Sequence, residues 1–399
     1  MLNYAIIGLG QRGNVLFDSL NKIEDINCIA VCDFYHDRCE LIANKFVENN
    51  KNKPNAYTDY KECIDKENLD FVIVSSAWIS HLEITFYAMK KGVAVGCEVG
   101  GAYSIESLWE LVRLYEKTKT PVMLLENACY SRIKLLSLNM KRQGLLGELI
   151  HLEGSYRHDL RSEIIECGTK NSHYRLHQYL HRNTENYPTH EIGPIAKLLD
   201  INCGNRFLSL YSVGSKSKGL KEYIKSRKIN GFEDVDFNQS DVVSTVIKCQ
   251  NGETVTIHLD TSLPRYYSRG FVVEGTKGLI SEDLSAVYLD DVNRKEEVFW
   301  HQVINNIDEY YKRYEHPVWS NYNPDESGHG GVDYLVLLSF INSLKENRPC
   351  PIDVYDMATW MSISVLSEQS LVTGQAVCFP DFTDGKWIER ENKFCIDKV

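Results

Sequence analysis

Two groups of residues in this 399-residue chain have types and spacings that could do chemistry. The first is Gly8-Leu9-Gly10-Gln11-Arg12-Gly13, a G-x-G-x-x-G string directly after an apolar run and at the start of a helical pattern. Gly8, Gly10 and Gly13 allow a tight turn and a close backbone approach to a pyrophosphate, which the N–H groups of the helix end then hold. The next apolar run ends at Asp33, spaced to meet the adenosine ribose hydroxyls, and its charge would repel the extra phosphate of NADP. NAD is therefore the expected cofactor; Arg38, five residues on, is the feature that argues for NADP. Later runs end next to Trp78-Ile79-Ser80-His81, Glu98-Val99 and Asn127, and ligands of open α/β sheets sit beyond such carboxyl ends. Taken singly each is ambiguous, and His81 reads equally as a helix N-terminal residue with no function.

The second group lies further on. In LIHLEGSYRHDLR, alternation puts Tyr156 and His158 on one face with Ile150 and Leu152, a polar pair ending an apolar stripe, as at a cleft. Tyr187-Pro188-Thr189-His190 then enters a helix, with Thr189 as N-cap and His190 in the first turn. The positive helix end disfavours imidazolium, so a neutral His190 could act as a base beside Tyr187, although a histidine satisfied by local backbone fits the pattern equally. Arg175 and Tyr267 could hydrogen-bond sugar hydroxyls, but from pattern alone both read first as surface residues. His173, His177 and His181 have the spacing of a metal-binding helix face; the intervening Arg175 and nearby Arg182 argue against a cation, and no metal is expected.

The elements that must position these residues change character along the chain. Short apolar runs alternate with amphipathic stretches up to about residue 127, the rhythm of βαβ units, with Asp59 and Glu62 as a capping box and Gly92 as a helix exit. After Arg142, period-two segments joined by Asn-Gly and Lys-Gly turns indicate antiparallel strands. The fold class is thus α/β, an N-terminal Rossmann doubly wound parallel sheet (1–127) followed by a C-terminal α+β domain with a largely antiparallel sheet (128–399). Within the second domain THEIGPIAKLLD predicts a helix with one buried face, and DYLVLLSFINSLK and ATWMSISVLSEQSLV predict helices packing back on the body. The lysine-rich stretch from Lys218 and the segment from Asp308 to Gly331 read as long surface loops.

Lys+Arg of 44 against Asp+Glu of 55 leaves a net charge of −11, which excludes nucleic acid and anionic lipid as expected partners and favours a small, largely neutral ligand. The twelve cysteines form no C-x-x-C pair and read as free core thiols. No basic n-region or apolar h-region opens the chain and no run spans a membrane, so a cytoplasmic location is expected.

G-x-G-x-R-G, the acid at Asp33, W-x-x-H at 78–81, Glu98-Val99, LENACYSR, EGSYRHDLR, YPTHEIGPIAKLLDI and the closing LSEQS with FPDF together resemble glycoside hydrolase family 109. That family is the branch of the Gfo/Idh/MocA oxidoreductases typified by α-N-acetylgalactosaminidase, and the likeness covers almost the whole chain. It implies that Gln11, Arg12, Asp33, Trp78, Ser80, His81, Glu98, Val99 and Asn127 hold NAD, and that Tyr156, Arg175, the string Tyr187-Pro188-Thr189-His190 and Tyr267 contact the sugar, with Tyr187 and His190 near both ligands. The implied mechanism is redox-neutral: hydride leaves C3 of the glycoside, a base removes the acidified C2 proton, the aglycone departs, water adds and the hydride returns. His190, Tyr187, Tyr156 and His158 are the residues expected to share the proton transfers. Dehydrogenases of the superfamily carry E-K-P where this chain has Glu98-Val99-Gly100; the missing lysine favours the glycosidase branch, and Gly100 replaces a proline usual even there. The alternatives are an NAD-dependent sugar or inositol dehydrogenase and a non-catalytic NAD- or sugar-binding regulator. A homo-oligomer is expected, because exposed sheet faces in such second domains pair between subunits.

Overall fold

The computed structural model describes residues 1–48, 52–171, 173–232, 234–293, 305–324 and 328–395. The chain forms two compact units: Met1–Tyr130 with Asn321–Ala358 and the residues from Lys393, and Ser131–Ser320 with Thr359–Asn392.

In the first unit, strands β1 (Leu2–Ile7), β2 (Ile26–Cys32), β3 (Asn55–Tyr57), β4 (Phe71–Val74), β5 (Ala94–Cys97) and β6 (Val122–Leu124) form one sheet in the order β3-β2-β1-β4-β5-β6. Every pair is parallel, the doubly wound arrangement expected. Strands β4 and β5 are buried at all their residues, which is why they read as unbroken apolar runs rather than alternating ones. The helix Tyr60–Lys66 begins as its capping signal predicts, with Asp59 accepting from the Lys61 N–H at 2.8 Å. The late helix Val332–Lys345 also belongs here, a difference from a division at residue 127: its Phe340 ring packs on β5 where Gly96 leaves space, and its Ser339 hydroxyl meets Tyr130.

The second unit is built on eight strands: β7 (Leu149–Arg157), β8 (Phe207–Gly214), β9 (Val242–Cys249), β10 (Thr254–Asp260), β11 (Val272–Gly275), β12 (Gly278–Ser281), β13 (Ala286–Leu289) and β14 (Val377–Cys378). Their order is β13-β12-β11-β7-β10-β9-β8-β14. All neighbours are antiparallel except β7 and β10, which run parallel. That pair brings two strand ends to the same edge, so Tyr156 on β7 and the segment after β10, which carries Tyr267, emerge side by side.

Four expectations need correction. The helix Thr189–Leu198 is buried at every residue, not on one face, because it is enclosed within its unit and lies against β7, where an added Cβ at Gly154 would come within 2.9 Å of the Glu191 carbonyl. Its N-cap is Pro188, and Thr189 is its first residue. Ile150 is about half exposed: it sits at the start of β7, where pairing with β11 slips between Glu274 and Gly275, and the buried stripe begins at Leu152. The two supposed loops contain helices. Gly219–Arg227 buries Leu220, Tyr223 and Ile224 at helical spacing beneath its lysines, and Ile307–Tyr314 buries Ile307 and Tyr310; residues 325–327 of the second segment lie outside the described residues.

Candidate functional site

The first unit builds a dinucleotide cradle. Gly8 takes φ +98°, a conformation that L side chains rarely adopt, and a Cβ there would lie 2.4 Å from the Ser76 nitrogen. At Gly13 a Cβ would lie 2.0 Å from the Gly8 carbonyl oxygen, so both glycines are required for the turn to close. Asp33 at the end of β2 accepts from the Leu9 N–H at 2.6 Å and from Tyr35 N–H at 2.9 Å, tying the acid directly to the glycine loop. The helix Gln11–Leu20 starts at Gly10, which offers no side chain to its first N–H groups, and has no acid in its first turn. An anion is what such an end accepts, and the cradle, the uncapped helix and Asp33 together fit a dinucleotide. Arg38 stands 3.6 Å from Asp33 and lies over the Tyr35 ring.

Around it the other expected residues take up distinct structural tasks. Trp78 is buried, and its indole lies against Gly100, where a Cβ would come within 2.9 Å of Cδ1, so the glycine leaves room for this ring. Ser80 bonds to Ser76 at 2.8 Å. His81 is buried and its Nε2 donates to the Ser76 carbonyl at 3.0 Å, which sets the tautomer. Burial pushes its pKa down to about 4. An unfolded chain takes up this proton as the pH falls through about 6.5 and the folded protein only near 4, so stability is lost between those values, on the order of 3 kcal/mol. Thermal unfolding from pH 7.5 to 4.5 should show that loss, and His81→Gln should flatten the acid limb; equal slopes in both proteins would assign the loss elsewhere.

Arg12, Glu98 and Asn127 meet at a residue the sequence reading did not single out. Asp333 is fully buried and accepts from Arg12 Nη1 and Nη2 at 2.7 and 2.8 Å, and from Asn127 Nδ2 at 2.6 Å, with His329 Nδ1 at 2.9 Å. Glu98 accepts from Arg12 Nε at 2.8 Å and, through its other oxygen, from the Val99 N–H at 3.0 Å. Burial works against ionisation of Asp333, but the His329 and Arg12 hydrogen bonds outweigh it and hold the carboxyl well below the usual range. The available signal was the string His329-Gly330-Gly331-Val332-Asp333, a histidine and an acid four positions apart around two glycines.

In the second unit the aromatic residues expected at the sugar site do converge. Tyr187 Oη lies 3.3 Å from His190 Nε2, and the Tyr156 ring lies 4.7 Å from Tyr187 and 5.8 Å from His190 between centroids. His158 continues the group, 6.0 Å from Tyr156 and 5.2 Å from Tyr267. Burial lowers the pKa of His158, and Arg175 and Arg269 add to this. Arg175, far from a surface residue, is 5% exposed; it holds Glu163 through Nε at 2.6 Å and lies 5.0 Å over the Tyr187 ring. Tyr267 is about half exposed at the rim, and Thr189 is fully buried. Sequence reasoning passed over Arg269, two residues beyond Tyr267: the guanidinium lies 5.0 Å over Tyr156 and 5.2 Å over Tyr267. Two aromatic rings with two guanidinium groups form a surface suited to a polyol with a position for developing negative charge.

The approach to this cluster is braced from behind. In LSEQS, Ser367 accepts from the Glu185 N–H at 2.9 Å and Glu368 pairs with Arg182. Glu185 and Glu191, on either side of Tyr187-Pro188-Thr189-His190, are both fully enclosed; burial pushes both carboxyls well up, and at Glu191 the neighbouring Glu185 adds to it. His173 caps the helix Tyr174–His181 by accepting from the Arg175 N–H, and among the described residues no group of three metal-ligating side chains is assembled. Among the same residues no helix is long and apolar enough to cross a membrane.

Residues 130–389 match the family model for the glycosyl hydrolase 109 C-terminal domain, and residues 2–125 that of the oxidoreductase family with an NAD-binding Rossmann fold, the Gfo/Idh/MocA proteins. The chain is 36% identical to an α-N-acetylgalactosaminidase of Tannerella forsythia, over 99% of its own length and 89% of that protein's. It is 37% identical to a glycosyl hydrolase family 109 protein of Stenotrophomonas maltophilia, over 98% and 91%. Among solved structures, an NAD-binding oxidoreductase from Klebsiella pneumoniae superimposes with a TM-score of 0.71 at 15% identity, covering 95% of this chain and 99% of that one. A scyllo-inositol dehydrogenase from Lactobacillus casei, with NAD(H) and scyllo-inositol bound, does so at 0.65 and 11%, covering 95% and 99%; these two similarities speak to the fold alone. On its sequence, from one end to the other, the chain belongs to glycosyl hydrolase family 109, a family of carbohydrate-active enzymes built on the NAD-binding Gfo/Idh/MocA fold.

Proposed function

We propose that the protein is an NAD-dependent glycosidase acting on N-acetyl-α-galactosaminides with no net redox change. The observation that carries this reading is the Tyr156–Tyr187–His190 cluster flanked by Arg175 and Arg269, together with Val99, not lysine, after Glu98. A dehydrogenase needs a group that deprotonates a hydroxyl; a glycosidase of this kind must also remove and return a proton on carbon.

NAD, held by the cradle of Gly8, Gly10 and Gly13, the Gln11–Leu20 helix end and Asp33, supplies a reversible hydride acceptor when bound. The chain's own residues do the rest. His190 exchanges a proton at Nε2, and Tyr187, hydrogen-bonded to that atom, relays it. Tyr156 closes one side of the pocket with its ring and offers its hydroxyl to the sugar. Arg175 and Arg269 place positive charge where the substrate becomes electron-rich as its C2 proton leaves. His158 and the half-exposed Tyr267 complete the rim and contact sugar hydroxyls.

The test is hydrolysis of an aryl N-acetyl-α-galactosaminide in heavy water with catalytic NAD⁺, followed by NMR of the released sugar. Deuterium at C2 without accumulated NADH is expected. Release with hydrogen retained at C2 would reject the route, and a free sugar that generates NADH stoichiometrically would establish the dehydrogenase alternative.

A further inference from the structure

Among the described residues Arg12 is the cation that bridges Glu98 and Asp333: its guanidinium is committed to these two carboxylates, and Nη1 also lies 3.3 Å from His329 Nδ1. Glu98 and Asp333 set two carboxylates against this guanidinium, one more than it balances. Glu98 and Asn127 lie just beyond the ends of β5 and β6, in the half of the sheet across the β1–β4 junction from Asp33. With Asp33 at the adenosine end of a dinucleotide, that second half receives the nicotinamide end. The oxidised nicotinamide ring carries one positive charge, and gaining a hydride makes it neutral.

We propose that Asp333 is a positioning residue of the dinucleotide site: it fixes Arg12 and Asn127, and as the surplus anion of their cluster it tilts binding towards the oxidised cofactor. The inference rests on the NAD reading above and deepens it. An enzyme that returns its hydride in every cycle needs a cofactor that settles back in the oxidised form, and a nearby net anion provides that bias. Asp333 has the geometry for the task. Its two oxygens receive a bidentate guanidinium and a carboxamide, and it is entirely buried, so its charge acts with little screening by water.

Calorimetric titration of the full-length protein with NAD⁺ and, separately, NADH tests this. Asp333→Asn should lower the NAD⁺-to-NADH affinity ratio about tenfold, equivalent to raising the two-electron potential of the bound couple by about 30 mV. Asp333→Glu, which keeps the charge and disturbs the geometry, should weaken both forms while leaving the ratio within about twofold. Should Asp333→Asn fail to fold, His329→Lys sets a permanent cation beside Asp333 at an exposed side chain and should move the ratio the same way by about threefold. If the wild type binds both forms and neither charge-changing variant moves the ratio, the proposal is overturned and the cofactor reading stands; if the wild type binds neither form, both fall.

Discussion

His190→Ala should reduce kcat on an aryl N-acetyl-α-galactosaminide by about 10²–10⁴, the range for removing a positioned acid–base group. NAD⁺ affinity should stay within about threefold, because the glycine turn is closed by its own backbone and by Asp33. Tyr187→Phe removes only the hydroxyl that faces Nε2 at 3.3 Å and keeps the packing against Tyr156 at 4.7 Å, so a smaller loss, about tenfold to a hundredfold, is expected. Steady-state kinetics alongside thermal unfolding separates chemistry from folding. Retained activity in His190→Ala would remove this residue from the proton transfers, and a fall in activity that merely tracks the unfolding midpoint would make it a packing residue.

Gly13→Ala should abolish measurable NAD binding, a loss of more than a hundredfold, and should destabilise the first unit by about 3 kcal/mol or more. The added carbon would lie 2.0 Å from a backbone oxygen, so the neighbour cannot yield without opening the loop that Asp33 pins through Leu9. Gly92→Ala is the contrast: its φ of +77° is left-handed, which that of Gly13 is not, and no atom lies within 4 Å of the added carbon. It should cost only the 1–2 kcal/mol of a left-handed backbone and leave cofactor affinity unchanged. Equal losses of affinity in the two variants would mean that the close approach at the cradle does not govern binding.

The parts legible in the sequence are those whose signals are local. The βαβ rhythm, the glycine string, Asp33 and the Asp59 cap each span a few residues, and the first sheet follows from them. The Tyr187–His190 pair was readable for the same reason, being three residues apart on one helix entry. Asp333 was hidden because its partner Arg12 is 321 positions away, and chemistry at such a separation leaves no periodic trace. The helix Gly219–Arg227 was hidden by composition: its buried Leu220, Tyr223 and Ile224 are outnumbered by polar neighbours whose long side chains face water. Tyr156 and Tyr267 could be found singly, but that they share an edge depends on the parallel pairing of β7 with β10 in the second sheet, which nothing in either strand announces.

The enclosure of the helix Thr189–Leu198 bears on how this protein can diversify. With all ten residues buried, and with Glu185 and Glu191 walled in beside Tyr187 and His190, almost any exchange there disturbs packing before it alters recognition. The segment from Leu263 to Arg269 is different: Tyr266 and Tyr267 are solvent-facing, and the stretch connects strands without belonging to either. New sugar preferences, whether gained by natural drift or by a directed library, should therefore accumulate at Tyr266 and Tyr267, while the helix Thr189–Leu198 stays nearly invariant.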